Sequence, residues 1–480
     1  MEESDVVAAK NMLFILSDEH NRKITGVYGH PFIETPNIDA LAAGGTTFDA
    51  AYTSSPICVP ARASLATGLP VHLNGCWDNA HPYDGRLPSW HGRLRAQGID
   101  VASIGKLHFR GGDDYGFTEE LLPLHVVGGT GDLKGLLRQE LPRNPGTPGL
   151  AAKAGRGISS YFEYDGRIAE RAIDWLRERA ARPDAPPFVL FVSLVMPHFP
   201  LIAPPEYYDR YAGYDLERLR TGIDAPPPDE HPTLARMRGF FDYDDHFRDE
   251  DRAVALRAYF GMVTRVDEIV GMLVRTLNET GLTGSTRVLY ASDHGDNLGS
   301  RGLWGKSVMY EDSVAVPLVL AGDGVPKGKR CATTVSLVDI APTMLDALGC
   351  PPDPDLPGAS LIGIATAADA DRPVLAEYHA AGSDTGQFML RLGAWKLVHF
   401  VDAPAQLFDL AADPDERRDL GRSPDHAVVV ADLRRVLRTL CDPEAINARA
   451  FADQKRTLEA NGGRDSIMQT VDIPFTPAPT

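Results

Sequence analysis

"NMLFILSDEH", residues 11–20, runs from an unbroken apolar stretch straight into three ionisable side chains. A run this short and this apolar reads as a strand buried on both faces, the kind a parallel sheet encloses. Such a strand releases its polar residues at its carboxyl end, and open α/β sheets gather ligands beyond those ends. Asp18 and Glu19 therefore stand where a site is expected.

The pattern recurs along the chain. "DVASIG" (100–105), "PFVLFVSLVMP" (187–197), "TRVLYASD" (286–293) and "VPLVLAG" (316–322) read as further buried strands. "RIAERAIDWLRERAA" and "AVALRAYFGMVTRVDEIVGMLVRTLNET" have the apolar spacing of amphipathic helices. "ETPNIDALAAGG" reads as a helix with Thr35 as N-cap, Pro36 in the first position and Gly44 and Gly45 closing it. This alternation predicts an α/β fold, a doubly wound and mostly parallel sheet flanked by helices. "PPDPDLPGASL" (351–361) is Pro-rich and marks a boundary. Beyond it, "PVLAEYH", "FMLRLGAWKLVHF" and "AQLFDL" read as an antiparallel meander, followed by a helix near 425–440. The expected organisation is a catalytic α/β domain over 1–360, a smaller C-terminal α+β subdomain over 361–460, and a tail or arm over 461–480.

Composition narrows the function classes. A chain of 480 residues suits one large domain and a smaller one. The formal charge of −18 argues against a nucleic-acid binder, because phosphate backbones need basic surface. A local basic pocket inside an acidic surface can still take a small anion. No apolar run is long enough to span a bilayer, so no membrane partner is expected, and "MEESDVVAAK" lacks the apolar core of a secretory signal. Cysteines 58, 76, 331, 350 and 441 are scattered, with no paired spacing for a structural zinc site. The expected location is cytoplasmic.

Chemistry concentrates after the strands. Asp18, with Asp293 and His294 from "SDHGD" (292–296), makes a divalent-metal site, completed by oxygen or sulfur from residue 58. "IGKLHF" offers Lys106 and His108, which in a strand point to the same side. "MPHFP" holds His198 between prolines, and "WGKSVMYED" supplies Lys306. Singly, these are ordinary capping carboxylates, loop histidines and surface lysines. Together they suit an anionic tetrahedral ester: the metal, Lys106, Lys306 and Arg62 neutralise its non-bridging oxygens, and a histidine or lysine protonates the departing alkoxide. The missing part is a nucleophile. "SSPICVPARASLATG" (54–68) sets Cys58 at a helix start, where it reads equally as nucleophile, ligand or small buried side chain.

Cys58-Val59-Pro60-Ala61-Arg62 resembles the Cys-x-Pro-x-Arg signature of type I sulfatases, in the alkaline phosphatase superfamily. "YGHPFIETPNIDALAAGGTTFDAAYTSSPICVPARASLATG", "GKLH", "PHFP", "SDHGD" and "WKLVHF…LFDLAADPDERRDL" are similar to the family's blocks, in the family's order. The resemblance implies that a separate maturation enzyme converts Cys58 to Cα-formylglycine. One hydroxyl of the hydrated aldehyde would attack sulfur, giving a covalent sulfated intermediate, and the other would expel sulfate. By matching positions, Asp18, Asp293, His294 and residue 58 bind the metal, and Arg62 steadies the diol. Lys106, His108, His198 and Lys306 bind sulfate and handle protons. Asn79 matches a substrate-binding asparagine of the choline-sulfatase and phosphonate monoester hydrolase branches, and reads equally as a turn residue.

Two departures shape the expectation. Many sulfatases carry Asp-Asp and Asp-Asn where this chain has Asp18-Glu19 and Asp293-His294; the Asp-His pair resembles the phosphonate and choline-sulfatase branches. Glu19 is left as either a metal ligand or a group that supports one, and the expected ion is calcium or manganese, with zinc behind them. Lys106 and His108 resemble the sulfatase pattern, where the phosphonate branch tends to carry hydroxylic residues. The expected function is a metal-dependent sulfatase acting on a small aryl or alkyl sulfate monoester, as a possible homodimer or homotetramer. A phosphonate monoester or phosphodiester hydrolase is the second reading, and a non-catalytic anion-binding homologue, with Cys58 unconverted, the third.

Overall fold

The computed structural model describes residues 10–139, 143–144, 146–220, 222–470 and 475–479. Its main sheet contains β1 (Asn11–Asp18), β2 (Gly45–Phe48), β3 (Asp100–Lys106), β4 (Glu119–Leu124), β5 (Phe188–Pro197), β6 (Thr286–Ser292), β7 (Leu318–Ala321) and β8 (Lys329–Cys331). Their spatial order is β8-β2-β7-β6-β1-β5-β3-β4. β1 lies between two parallel neighbours, with Phe14 opposite Phe191 of β5 and Leu289 of β6. Only β7 runs against its neighbours, β6 and β2. The mostly parallel sheet expected from the apolar runs is thus present.

The apolar run of β1 is explained by the two layers that cover it. Leu13 and Ile15 enter one core, while Met12, Phe14 and Leu16 enter the other. Full burial of each such side chain contributes about 1.5–3 kcal/mol. The helices are α1 (Pro36–Ala43), α2 (Cys58–Thr67), α3 (Ser160–Ala180), α4 (Pro232–Phe241), α5 (Asp249–Glu279) and α6 (Ile340–Ala347). α1, α3 and α5 pack on the first face through Ile38, Ile168 and Ile269, and α2 and α6 on the second through Leu65 and Met344.

The strand ends carry local devices that aim side chains. The β1–β5 register shifts between Leu16 and Asp18, and the β3–β4 register shifts between Ile104 and Lys106. Each irregularity re-aims the residue that follows it. Gly105 has φ +104, and a Cβ there would stand 2.2 Å from the Ser193 carbonyl oxygen, so only glycine lets β3 run this close to β5.

The C-terminal sheet is antiparallel in the order β9 (Val374–Tyr378), β10 (Gln387–Leu392), β11 (Trp395–Phe400), β12 (Gln406–Asp409). Helices α7 (Ala427–Leu440) and α8 (Pro443–Ala460) cover one face, with Leu390, Leu397, Leu433 and Ile446 in a shared core. Ala376, Met389 and Phe408 turn the other way and join the main core. In the expected arm, residues 475–479 lie against the main domain, with the Tyr161 hydroxyl donating to the Thr476 carbonyl (2.6 Å). Residues 471–474 and 480 of that arm, and the N-terminal residues 1–9 read for a signal, lie outside the described residues. Among the described residues no helix is long and apolar enough to cross a membrane.

Candidate active site

The carboxyl ends of β1, β3, β5 and β6 converge on the N-terminus of α2, and every residue singled out from the sequence is found there. α2 starts at Cys58, as the reading of 54–68 expected, with Pro60 in its first turn. Proline is tolerated in a first turn because its missing N–H has no intrahelical partner to lose. Every residue of α2 is buried, so Cys58 sits inside the fold rather than on a rim.

Four donors meet at this point. Atoms of Asp18, Cys58, Asp293 and His294 all lie within 4.8 Å of one another, and all four residues are buried. Cys58 Sγ is 3.1 Å from His294 Nε2 and 3.7 Å from Asp18 Oδ1. His294 Nδ1 bonds the Gly295 carbonyl (3.0 Å), which puts the proton on Nδ1 and leaves the Nε2 lone pair facing Cys58. Arg62 takes the outer oxygens, with Nε on Asp293 Oδ2 (2.8 Å) and Nη2 on Asp18 Oδ2 (3.2 Å). The inner oxygens, Asp18 Oδ1 and Asp293 Oδ1, each stand 3.8 Å from His294 Nε2. Two carboxylate oxygens, one imidazole nitrogen and the residue 58 atom thus share one centre, a donor set that fits a divalent cation.

Cations surround this centre. Lys106 Nζ contacts Asp18 Oδ2, and Arg62 Nη1 donates to the Lys106 carbonyl (2.7 Å) and the Ser193 hydroxyl (2.8 Å). Burial alone would raise the Asp18 carboxyl; the Lys106 and Arg62 cations beside it hold it well below the usual range. Burial, and then Asp18, push the Cys58 thiol up, so it stays protonated and is a poor nucleophile as it stands.

A second cluster lies beside the first. Lys306 Nζ donates to Glu19 Oε2 (2.9 Å) and to His198 Nε2 (2.7 Å), while His198 Nδ1 bonds the Phe199 carbonyl (2.7 Å). Burial, with Lys306 beside it, keeps His198 neutral. Burial would strip the Lys306 proton, but the Asp18 carboxylate and the hydrogen bond to Glu19 reverse that and hold it on. Glu19 meets Lys306 and His198, and with Asp18 and His198 it forms a second group of possible metal donors, all within 4.8 Å of one another. Asp296 accepts from the N–H groups of Leu298 (2.8 Å) and Gly305 (2.9 Å), which fixes the loop that carries Lys306.

Cys58, Asn79, Lys106, His108, His198 and Lys306 line one cavity of about 100 Å³. Asn79 Oδ1 accepts from the Val59 N–H (3.2 Å), tying this residue to the first turn of α2. His108 does not share a strand face with Lys106 as its spacing implied: β3 ends at Lys106, and His108 follows with φ +59. Its ring reaches the cavity from that turn, with Nε2 2.8 Å from Thr476 Oγ1. The sequence reading missed Ser193, Tyr161 and Asp296. Ser193 is the one hydroxyl inside the apolar run of β5, and Asp296 lies within "SDHGD", so both left a signal; Tyr161, inside an amphipathic helix, left none.

Comparison with known proteins gives consistent results. The model of the family described as "Sulfatase" matches residues 10–350, and that of "N-sulphoglucosamine sulphohydrolase, C-terminal" matches residues 299–442. A choline-sulfatase of Rhizobium meliloti (strain 1021) is 34% identical over 93% of this chain and 90% of its own length. Arylsulfatase K of Mus musculus is 30% identical over 92% of this chain and 81% of its own. In fold, the chain is similar to a phosphonate monoester hydrolase of Agrobacterium radiobacter, with TM-score 0.71 and 22% identity over 92% of this chain and 96% of that one. It is also similar to a protein solved with its substrate D-glucosamine-2-N,6-O-disulfate, with TM-score 0.70 and 22% identity over 94% of this chain and 99% of that one.

Proposed function

As the chain belongs to the sulfatase family of sulfuric ester hydrolases, we propose that its site cleaves a small-molecule aryl or alkyl sulfate monoester to alcohol and sulfate. The observation that carries this reading is Cys58, buried at the start of α2 within Cys-x-Pro-x-Arg and 3.1 Å from His294 Nε2. A protonated thiol there has little use as a nucleophile. Conversion of Cys58 to Cα-formylglycine by a maturation enzyme would supply a hydrated aldehyde, one hydroxyl to attack sulfur and a second to release sulfate. Asp18, Asp293, His294 and residue 58 would hold calcium or manganese, which would polarise the ester and acidify the attacking hydroxyl.

The remaining residues act through their own charges. Lys106, His108 and Asn79 line the cavity that would receive the non-bridging oxygens, and Lys106 brings a fixed cation to it. Arg62 holds both carboxylates by their outer oxygens, so their inner oxygens keep one orientation. Lys306 carries a proton on Nζ, beside the neutral His198, and is the donor to the departing oxygen. Glu19 orients Lys306 through the 2.9 Å contact.

The test compares kcat/KM for 4-nitrophenyl sulfate with that for a phenyl phosphonate monoester, using protein from a host that converts the cysteine. Preference for the sulfate is expected, with Cys58→Ala abolishing turnover. A large preference for the phosphonate ester would move the assignment to that branch. An intact thiol at position 58, seen by peptide mass spectrometry in that protein, would support a non-catalytic anion binder.

A further inference from the structure

We propose that the aromatic-walled cavity next to Lys306 seats the substrate's leaving group, and that this group is an apolar aryl unit of at least two fused rings. The inference rests on the sulfatase reading for its chemistry, but the cavity's own properties make it separately testable. The cavity measures about 460 Å³, against about 100 Å³ for the anion cavity lined by Cys58 and Lys106. The two share Asn79, Asp132, Phe199 and Lys306 as common walls. Lys306 is the proposed proton donor to the departing oxygen, so whatever that oxygen is bonded to extends toward this side.

Much of the wall is apolar. Phe199, Phe240, Phe241, Tyr243, Leu150 and Tyr378 make one aromatic-rich side of it. Phe240 and Phe241, the last two residues of α4, are only partly buried, with ring centroids 4.9 Å apart. Phe241 lies parallel to Tyr243 at 5.6 Å and 8°. Two adjacent aromatic rings left half in water lose about 25 cal/mol for each Å² unburied, unless a ligand covers them. Concave apolar surface beside a reacting centre is the usual form of a small-molecule pocket.

Several polar side chains on the walls have partners. The Tyr378 hydroxyl donates to the Ala381 carbonyl (2.8 Å), Asn144 Oδ1 accepts from the Gly146 N–H (2.9 Å), and Asp132 Oδ1 accepts from the Lys134 N–H (3.1 Å). Arg143 pairs with Asp242 (3.0 Å) and Asp245 (2.8 Å). A polyhydroxylated sugar would lose hydration against the aromatic part of these walls, at a cost per lost hydrogen bond that a flat aromatic ring does not incur. A small alkyl alcohol would leave most of the 460 Å³ unfilled.

The experiment uses paired esters whose departing oxygens are of similar basicity, phenyl sulfate and 2-naphthyl sulfate. It adds equilibrium binding of benzenesulfonate and 2-naphthalenesulfonate to the Cys58→Ala protein. The naphthyl ester is expected to exceed the phenyl ester in kcat/KM by at least about tenfold, with a similar ratio in sulfonate binding. Phe240→Ala and Phe241→Ala, made separately, should each cut the naphthyl-to-phenyl ratio by about fivefold or more. Ratios near one, no response in either variant, or better turnover of choline sulfate than of the naphthyl ester would overturn the proposal while leaving the sulfatase reading intact. Conversely, if no sulfate ester is cleaved but the sulfonate preference and its loss in the variants are measured, the sulfatase reading falls and the pocket stands.

Discussion

Lys306 shows how much of this site depends on single contacts. Its Nζ lies between Glu19 Oε2 and His198 Nε2, and the nearby Asp18 carboxylate with the hydrogen bond to Glu19 keeps it protonated despite burial. A proton donor matters most when the departing oxygen is strongly basic, and little when it leaves readily as an anion. Lys306→Ala should therefore lower kcat for an ester of an unactivated alcohol by about 10²–10⁴-fold, and for 4-nitrophenyl sulfate by far less. Plotted against the acidity of the leaving alcohol, log kcat of the variant should fall more steeply than that of the parent. Equal losses across the series would mean that Lys306 only binds charge. At this scale the sequence was informative about residue types and silent about partners. Lys306 was legible as a cation near a strand end, but its pairing with Glu19 depends on a loop held by Asp296. Glu19, open between ligand and support, has φ +67 just past β1 and contacts Lys306 while standing within donor distance of Asp18 and His198.

The elements deliver these residues by their ends, and α2 is the one on which the proposed nucleophile at Cys58 depends. The helix stops at Gly68, which has φ +71 and whose N–H returns to the Ser64 carbonyl (2.8 Å). A Cβ at Gly68 would lie 2.6 Å from Ala341 Cβ and 2.8 Å from Leu356 Cδ2. Gly68→Ala therefore combines a left-handed backbone penalty with overpacking against α6, and should destabilise the fold by about 2–4 kcal/mol in urea titration. A cost under about 0.5 kcal/mol would show that α6 shifts freely and does not fix α2. The strands were legible because burial on both faces leaves an uninterrupted apolar run, as in β1, β5 and β6. The register shifts at Leu16–Asp18 and Ile104–Lys106 were not, because register is a property of two paired strands and no single run encodes it. For the same reason Lys106 and His108 were assigned to one strand face, whereas the strand ends between them.

Over the whole molecule, the C-terminal sheet is fastened to the segment that presents Cys58. The Glu377 N–H of β9 donates to the Ser54 carbonyl (2.9 Å), four residues before the nucleophile position. The Glu377 carboxylate is fully buried and accepts from His72 Nδ1 (2.7 Å), just beyond α2, and from His379 Nε2 (3.3 Å). From α8, Gln454 Nε2 donates to the His379 carbonyl (2.5 Å) and to Asp78 Oδ2 (2.7 Å), next to Asn79. This linkage was out of reach of the sequence, which showed a boundary near 351–361 but not what crosses it. Burial would raise the Glu377 carboxyl, yet the hydrogen bonds from His379 and His72 bring it down to about 2. A carboxyl with a depressed folded-state value stabilises the fold fully above its unfolded value of 4.5, and that stabilisation is lost as pH falls toward 2. Between pH 5 and pH 3 the linkage accounts for a loss of about 2 kcal/mol. Glu377→Gln should be less stable than the parent at pH 7 by about 1.5–3 kcal/mol, because a charged acceptor becomes neutral. It should also lose less stability than the parent on going from pH 5 to pH 3, so the two urea midpoints converge in acid. Parallel pH profiles would show that the Glu377 carboxyl titrates alike in folded and unfolded chains, so that its charge adds nothing to the join.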